Sequence, residues 1–281
     1  MKLSVTILSS YLYCPRKLFL ERVLGFREAP KEAMVIGSIR HQVLEIMNKR
    51  QEDIVRQVKE GEVREVIERY SAEYCKALRE SIVKNKGRLR QVDVSLSKAF
   101  EKNLQFCLGE SRAMADNVIC FVNKHKVYGD ELWERLTPKI KCEYALSSDK
   151  LGLNGRIDHL EVYDDRIVPV EIKTGKMPKQ GVWDGHRVQI VAYALMLEEK
   201  FGIEIKEGVI RYVDNKEERK VVLNHFMRKE VLDIIAKTKN LLTNTETPGF
   251  NAVKGKCEVC GLREICYNES VVKQKIREIT K

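Results

Sequence analysis

Residues 155–175, GRIDHLEVYDDRIVPVEIKTG, predict two β-strands joined by a tight acidic turn. If the two aspartates in the middle form a two-residue loop, Asp158 faces Glu171 across the hairpin and Arg156 faces Lys173. Because side chains alternate between faces along a strand, Glu171 and Lys173 share one face. Two facing carboxylates repel each other, and a divalent cation would relieve that repulsion. The hairpin therefore predicts a divalent-cation site.

The composition is that of a folded protein with a basic surface. The chain has 281 residues, of which 43% are hydrophobic, enough for one large domain or two small ones. The net charge of +10 favours polyanions such as nucleic acid, although a basic surface can also serve solubility alone. No apolar run reaches the about 18 residues of a membrane span, and the N-terminal apolar stretch is too short for a signal peptide. We therefore expect a cytoplasmic protein without a membrane partner.

The eight cysteines are unevenly placed along the chain. Cys257, Cys260 and Cys266 form a C-x2-C-x5-C run near the C-terminus, and Cys14 precedes Pro15 near the N-terminus. In a cytosolic chain this pattern favours metal ligation over disulfides, because C-x2-C spacing lets two thiolates reach one metal centre. A zinc ribbon would need a second such pair. The remaining cysteines are predicted to be small buried hydrophobic residues: Cys75, Cys107, Cys120 and Cys142.

Apolar spacing predicts helices through the first half of the chain. Ser9 or Ser10 is expected to cap a first helix, and Pro15 indicates either that this helix starts late or that Cys14 lies in its first turn. A second helix is predicted after Pro30. Residues 50–135 then repeat apolar positions at steps of three and four, with no obvious chemical role. We interpret this stretch as a helical insertion.

The second half of the chain alternates strands and helices, which predicts a mixed α/β core. Besides the hairpin, the predicted strands cover residues 140–146, 208–213 and 220–223, and the predicted helices cover 185–200 and 228–242. We expect four regions in the chain: N-terminal helices over 1–49, the helical insertion over 50–135, the core over 136–246 and a cysteine region over 247–281.

Five motifs in a fixed order resemble the RecB-like branch of the PD-(D/E)XK nuclease superfamily. They are GSIRH at 37–41, GRID at 155–158, VEIKTG at 170–175, QIVAY at 189–193 and the four separated cysteines. With those cysteines the chain resembles Cas4-family CRISPR-associated exonucleases. The resemblance covers about residues 1–45 and 136–275, and it implies a mixed central sheet flanked by helices, with an iron-sulfur region joining the two chain ends. About 80 extra residues before the strands are unusual for Cas4 and leave the subfamily open.

The metal site is expected to hold Mn²⁺ or Mg²⁺, which prefer oxygen ligands. Asp158 and Glu171 supply carboxylates, and the Ile172 carbonyl between Glu171 and Lys173 is a natural third ligand. By resemblance, His41 also binds the metal, and a histidine ligand favours Mn²⁺. The alternatives are an ion network for Asp158 and an ordinary, partly buried polar role for His41.

The resemblance also assigns catalytic roles around the metal. Asp158 and Glu171 belong to this catalytic set. Lys173 would orient the attacking water or neutralise developing charge. Gln189 and Tyr193 share one helical face and would lie beside the substrate phosphate, with plain helix packing as the alternative. Glu143, on the preceding strand, could approach the site, but a solvated strand face is the stronger expectation.

The resemblance implies that Cys14, Cys257, Cys260 and Cys266 bind a [4Fe-4S] cluster, with [2Fe-2S], zinc and unligated cysteines as alternatives. It implies a metal-dependent exonuclease on single-stranded DNA, of 5′→3′ polarity, which processes spacer precursors during CRISPR adaptation. The implied partners are DNA and CRISPR integrase proteins, and a homo-oligomer is compatible with it. The alternatives are an iron-sulfur nuclease subunit of a DNA-repair helicase-nuclease system and a non-catalytic DNA-binding subunit. No Walker-type motif is present, so any helicase would be a separate chain.

Overall fold

A computed structural model describes residues 2–280, and its centre is a six-stranded mixed sheet. The strands are β1 Leu3–Ser4, β2 Lys139–Ser148, β3 Leu153–Val162, β4 Ile167–Lys173, β5 Glu207–Tyr212 and β6 Glu217–Val222. The helices are α1 Val5–Tyr13, α2 Pro15–Arg22, α3 Glu32–Arg56, α4 Glu65–Lys84, α5 Lys86–Gln91, α6 Leu96–His125, α7 Gly129–Arg135, α8 Asp184–Phe201, α9 His225–Thr243, α10 Lys254–Glu258, α11 Arg263–Tyr267 and α12 Glu269–Ile279. The predicted mixed sheet flanked by helices is confirmed.

The first two helices differ from the prediction. Ser9 and Ser10 lie inside α1, which already begins at Val5. Pro15 is the first residue of α2, where its missing N–H costs nothing, and the Cys14 side chain accepts the backbone N–H of Lys17 as a cap. The helix therefore breaks in two at Cys14, instead of starting late.

Helices α3 to α7 fill the predicted helical stretch and share one hydrophobic cluster. Its largest buried side chains include Tyr70 and Tyr74 of α4. Cys107 and Cys142 lie in this cluster, as predicted, but Cys75 is half-buried and Cys120 is exposed. The prediction of burial is therefore wrong for Cys120, which lies on the solvent side of the amphipathic helix α6. Among residues 2–280, no helix combines the length and apolar character that crossing a bilayer requires.

The hairpin has the predicted register. β3 and β4 pair from Val162 and Ile167 at the turn to His159 and Val170. The ladder stops one pair before Asp158 and Glu171, so these two residues lie where the strands begin to separate.

A gap in one edge of β3 produces this separation. β2 pairs with β3 on both sides of Glu143, so β1 and β4 must share the other edge of β3, at opposite ends. Residues 155–158 between them have no ladder partner on that edge. Val5 and Tyr193 pack against Gly155 there, where an added Cβ would lie 2.7 Å from the Tyr193 ring and 3.0 Å from Val5. The Tyr193 hydroxyl donates to the Arg156 carbonyl oxygen at 2.9 Å, which satisfies a backbone acceptor that the ladder leaves free.

Candidate active site

Three side chains from three elements converge beside this gap. His41 of α3 places its Nδ1 atom 2.7 Å from Oε1 of Glu143 on β2 and 3.1 Å from Oδ1 of Asp158 on β3. One donor atom from each residue lies within 4.8 Å of the other two. An imidazole nitrogen with two carboxylates is a suitable donor set for Mn²⁺ or Mg²⁺. The His41 side chain is half-exposed, so an ion can reach the cluster from solvent.

The Glu143 side chain is only 4% exposed, so the prediction of a solvated strand face is wrong. Its backbone φ is +51°, in the left-handed region, and the flanking pairs of the β2–β3 ladder leave Glu143 opposite Asp158. Even-numbered residues of β2 should all face the same side of the sheet, but those before and after Glu143 contact different hydrophobic clusters. Cys142 packs among α3 to α7, whereas Leu146 packs against α8. The regular alternation therefore breaks at Glu143 and directs its carboxylate to His41.

Glu171, Lys173 and Gln189 form a second group next to the first. The Lys173 ammonium donates to Oε1 of Glu171 at 2.8 Å and to Oε1 of Gln189 at 2.7 Å, which confirms that residues 171 and 173 share a face. The Gln189 amide donates back to Oε1 of Glu171 at 3.2 Å. The other Glu171 oxygen, Oε2, is buried without a hydrogen-bond partner. Such an atom is costly unless a ligand, water or proton satisfies it.

Electrostatics within the site reflect crowded carboxylates. Burial, and then the charge of Asp158, raise the pKa of the Glu171 carboxyl to about 7. Hydrogen bonds to Asp158 and then Glu143 raise the pKa of the His41 imidazole to about 10. Burial raises the pKa of Glu143, against the opposing effect of His41. The two carboxylates thus favour a positive charge between them. Metal ligation requires neutral imidazole, so a metal ion would replace the proton that His41 carries here.

Two predicted site residues make backbone contacts. The Ile172 N–H donates to Oδ2 of Asp158 at 2.6 Å, which fixes that carboxylate at the point where β3 and β4 separate. The Tyr193 hydroxyl donates its hydrogen bond to the Arg156 carbonyl oxygen, so this side chain of α8 supports β3. The metal-ligand role of the Ile172 carbonyl and the placement of Tyr193 beside a phosphate stay predictions.

The four cysteines of the predicted cluster site line one cavity, formed where the two chain ends meet. Arg16 of α2 connects these ends, since its guanidinium donates to Sγ and the carbonyl oxygen of Cys266 and to the Pro248 carbonyl oxygen. It also stacks over the Phe250 ring at 4.1 Å. Cys14 and Cys266 are therefore brought to one place, as a four-thiolate site requires.

Comparisons with known proteins agree with this geometry. The family model of the PD-(D/E)XK nuclease superfamily matches residues 2–267. A CRISPR-associated exonuclease Cas4/endonuclease Cas1 fusion of Leptospira interrogans is 32% identical over 154 residues, 51% of this chain and 28% of the relative. A CRISPR-associated exonuclease Cas4 of Rhodospirillum rubrum is 30% identical over 129 residues, 45% of this chain and 38% of the relative. These matches confirm the resemblance to Cas4.

A more distant relative matches over a longer stretch. A DNA replication ATP-dependent helicase/nuclease of Arabidopsis thaliana is 21% identical over 269 residues, 90% of this chain and 19% of that protein. In all three relatives the matched part spans well under half of the relative's length. The superfamily match, in contrast, spans residues 2–267, which is nearly this whole chain. The chain belongs to the PD-(D/E)XK nuclease superfamily.

Proposed function

We propose that this protein is a divalent-metal-dependent deoxyribonuclease that removes nucleotides from DNA ends. The observation that carries the proposal is the convergence of His41, Glu143 and Asp158 beside the Glu171–Lys173 pair. The three donor atoms and the unpartnered Oε2 of Glu171 suit Mn²⁺ or Mg²⁺. When bound, such an ion supplies Lewis acidity and lowers the pKa of a bound water.

The protein's own groups would do the rest of the work. The Lys173 ammonium, held between Glu171 and Gln189, is placed to stabilise negative charge on a scissile phosphate or to orient the attacking water. Glu171 would hold the Lys173 ammonium through its Oε1 atom and offer its unpartnered Oε2 atom to the ion. Tyr193 keeps β3, and with it Asp158, in position.

The test is a cleavage assay on labelled single-stranded DNA with Mn²⁺, Mg²⁺ or EDTA. We expect metal-dependent cleavage by the wild type, and at least about a 10³-fold loss in Asp158→Ala. Asp164→Ala is the matched control, because Asp164 is an exposed aspartate in the turn of the same hairpin. Equal cleavage by the wild type and Asp158→Ala would reject the catalytic proposal and favour a purely DNA-binding subunit.

Two of the relatives carry CRISPR-associated exonuclease Cas4 in their names, which supports an exonuclease in a CRISPR setting. On the resemblance of the sequence motifs to that family, we further propose single-stranded DNA as substrate, 5′→3′ polarity and a role in processing spacer precursors. The Cas1 part of the Leptospira fusion suggests an integrase of that kind as partner. Oligonucleotides labelled at the 5′ or the 3′ end distinguish the polarities, since only one label is released first as a mononucleotide. Co-purification with the Cas1 protein of the same organism tests the partner.

We also propose that Cys14, Cys257, Cys260 and Cys266 hold a [4Fe-4S] cluster. All four line one cavity. Four thiolates supplied by the two chain ends suit Cys₄ ligation of such a cluster, and the resemblance of the motifs to Cas4 favours it over zinc.

A nuclease subunit of a helicase-nuclease system is the second candidate. The observation that favours it is the match to the plant helicase/nuclease, which covers 90% of this chain, whereas the two Cas4 matches cover 51% and 45%. Genes for a helicase beside this one, in place of CRISPR genes, would support that setting. The active-site proposal is the same for both settings.

A further inference from the structure

A groove runs along α1 and the start of α8, between the cysteine cavity and the active site. It encloses about 1580 Å³ of non-protein space, and its lining includes Tyr13, Lys17, Trp183, His186 and Lys256.

Each end of the groove lies at a feature already described. Its inner end is at His186, three residues and thus about one helical turn before Gln189, which binds Lys173. The His186 Nδ1 atom lies 3.1 Å from the Tyr212 hydroxyl oxygen, and Tyr212 is the cross-strand partner of Lys173. At the outer end, Tyr13 and Lys256 line both the groove and the cysteine cavity. The groove therefore connects the two sites.

The groove wall is rigid where α1 and α8 meet. The Ser9 hydroxyl donates to the Gly185 carbonyl oxygen at 2.6 Å. A Cβ on Gly185 would lie 3.4 Å from Cβ of Ser9, so the two helices approach closely at this point. A wall fixed in this way can present side chains without first reorganising.

Two exposed aromatic rings face this space. The Trp183 side chain is 48% exposed, and its indole N–H donates to the Lys176 carbonyl oxygen at 3.0 Å, which fixes the orientation of the ring. Tyr13 is 39% exposed, with the Lys256 ammonium 5.0 Å from its ring centre. Oriented, exposed aromatic faces are what unpaired bases stack on.

The charges of the groove suit a polyanion. Its two acidic residues are paired, Asp184 with Arg187 at 3.0 Å and Glu21 with Lys17 at 3.7 Å. Lys256 has no carboxylate within 4.0 Å in the described part of the chain, and donates instead to the Tyr13 carbonyl oxygen. Its positive charge is therefore available to a phosphate.

We propose that this groove binds one strand of DNA, with bases stacked on Trp183 and Tyr13 and a phosphate at Lys256. The inference rests on the proposed nuclease function and adds the path by which the strand reaches Lys173. Paired bases expose only their edges, so a duplex cannot use these ring faces. The groove thereby selects single strands.

Tryptophan fluorescence in EDTA tests the proposal without cleavage. The chain has two tryptophans, and the other, Trp133, packs against the helical cluster. We expect an oligothymidine to quench the wild type and a blunt duplex of equal length to have little effect. Trp183→Phe should lose the quenching but keep binding by anisotropy, and Trp183→Ala should bind about tenfold more weakly. Phe201→Ala is the control, since Phe201 is a 41% exposed aromatic at the other end of α8.

Several results would overturn the inference: no quenching of the wild type at saturating oligothymidine, full affinity in Trp183→Ala, or equal affinity for the duplex. Cleavage by the wild type and Asp158→Ala is measured separately. If the wild type cleaves DNA but its Trp183 fluorescence does not respond to the oligonucleotide, the groove proposal is rejected and the nuclease proposal stands. If Trp183 fluorescence is quenched but no cleavage is seen, the groove proposal stands and the catalytic proposal is rejected.

Discussion

The two candidate metal regions of this molecule are built in opposite ways. Glu143, Asp158 and Glu171 lie on three neighbouring strands, and their side chains are only 4–6% exposed. The cysteine region consists of short helices at the chain end, and α10 and α11 have five residues each and no buried side chain. The fold alone therefore positions the carboxylates, whereas the cysteine region has little of its own to hold it.

This difference has an energetic basis. Isolated helices shorter than about 12 residues are marginal in water, so α10 and α11 depend on contacts with the rest of the chain. Those contacts include Arg16, the Glu28 carboxylate, which accepts the Gly261 N–H at 2.7 Å, and a small cluster around Phe19 and Leu262. A bound cluster that joins Cys14 to the C-terminal cysteines would supply the missing stability, because ligand binding to the folded form alone is folding free energy.

The largest effect is expected from Cys14→Ala. Loss of one of four thiolates should prevent cluster retention, remove the visible absorbance of the anaerobically purified protein and lower Tm by at least about 5 °C, which corresponds to about 2 kcal/mol for a chain of this size. Residues 254–267 should become sensitive to limited proteolysis. Residual cleavage by the folded fraction should stay metal-dependent, because the carboxylates are positioned by strands.

Cys120→Ala is the matched control, since Cys120 is exposed on α6, outside the cysteine cavity. It should keep both the colour and the Tm of the wild type. A colourless wild type, or a Cys14→Ala variant as stable as the wild type, would contradict the contrast between the two regions.

Glu143→Gln tests the strand-built site with a smaller expected effect. Gln keeps the shape and the left-handed backbone but removes one negative charge beside His41, so Mn²⁺ affinity should fall about 10–100-fold. Because the strands do not depend on the metal, Tm without metal should change little. Calorimetric titration with Mn²⁺ measures the affinity.

The control for this change is Glu134→Gln on α7, an exposed glutamate away from the site. It should bind Mn²⁺ as the wild type does. Unchanged affinity in Glu143→Gln would mean that Glu143 only supports His41 and does not contact the ion.

The sequence predicts the hairpin register well, because a two-residue turn determines which residues face each other. Glu143 is different, since strict alternation along β2 places it with Lys141 on an outward face, and only its φ of +51° reverses this. One signal was available: extending a regular β2–β3 pairing also places Glu143 opposite Asp158. Considered along β2 alone, the sequence ranks a solvated strand face for Glu143 above an approach to the site.

The gap along one edge of β3 cannot be predicted from the local sequence either. Nothing local shows that β1 and β4 share one edge of β3, because that depends on how the chain end folds back. The sequence therefore predicts a place beside the substrate or plain helix packing for Tyr193, but not the hydrogen bond from its hydroxyl to β3 in this gap. The division into four regions stays a prediction.

Glu110 is a buried carboxylate outside both candidate metal regions, so it shows what burial alone does to such a group. It lies on α6 with a side chain 5% exposed, as buried as the site carboxylates, and burial likewise raises its pKa to about 7. Its Oε2 lies 3.4 Å from Nε2 of His159 and 3.7 Å from the Arg211 guanidinium. It belongs to neither metal region, so its removal should change stability and leave cleavage within about twofold.

The sign of the effect of Glu110→Gln follows from linkage. A raised carboxyl pKa means that the folded protein keeps a proton which the unfolded chain releases, so the wild type loses stability as pH rises from about 4.5 to about 7. Gln cannot ionise, so the variant should match the wild type at pH 5 and be more stable by about 1–2 kcal/mol at pH 8. Urea unfolding across this pH range measures the difference, with exposed Glu101→Gln on the same helix as control. A variant less stable than the wild type at pH 8 would show that Arg211 compensates the buried charge fully, and that burial alone does not set these carboxyl groups apart.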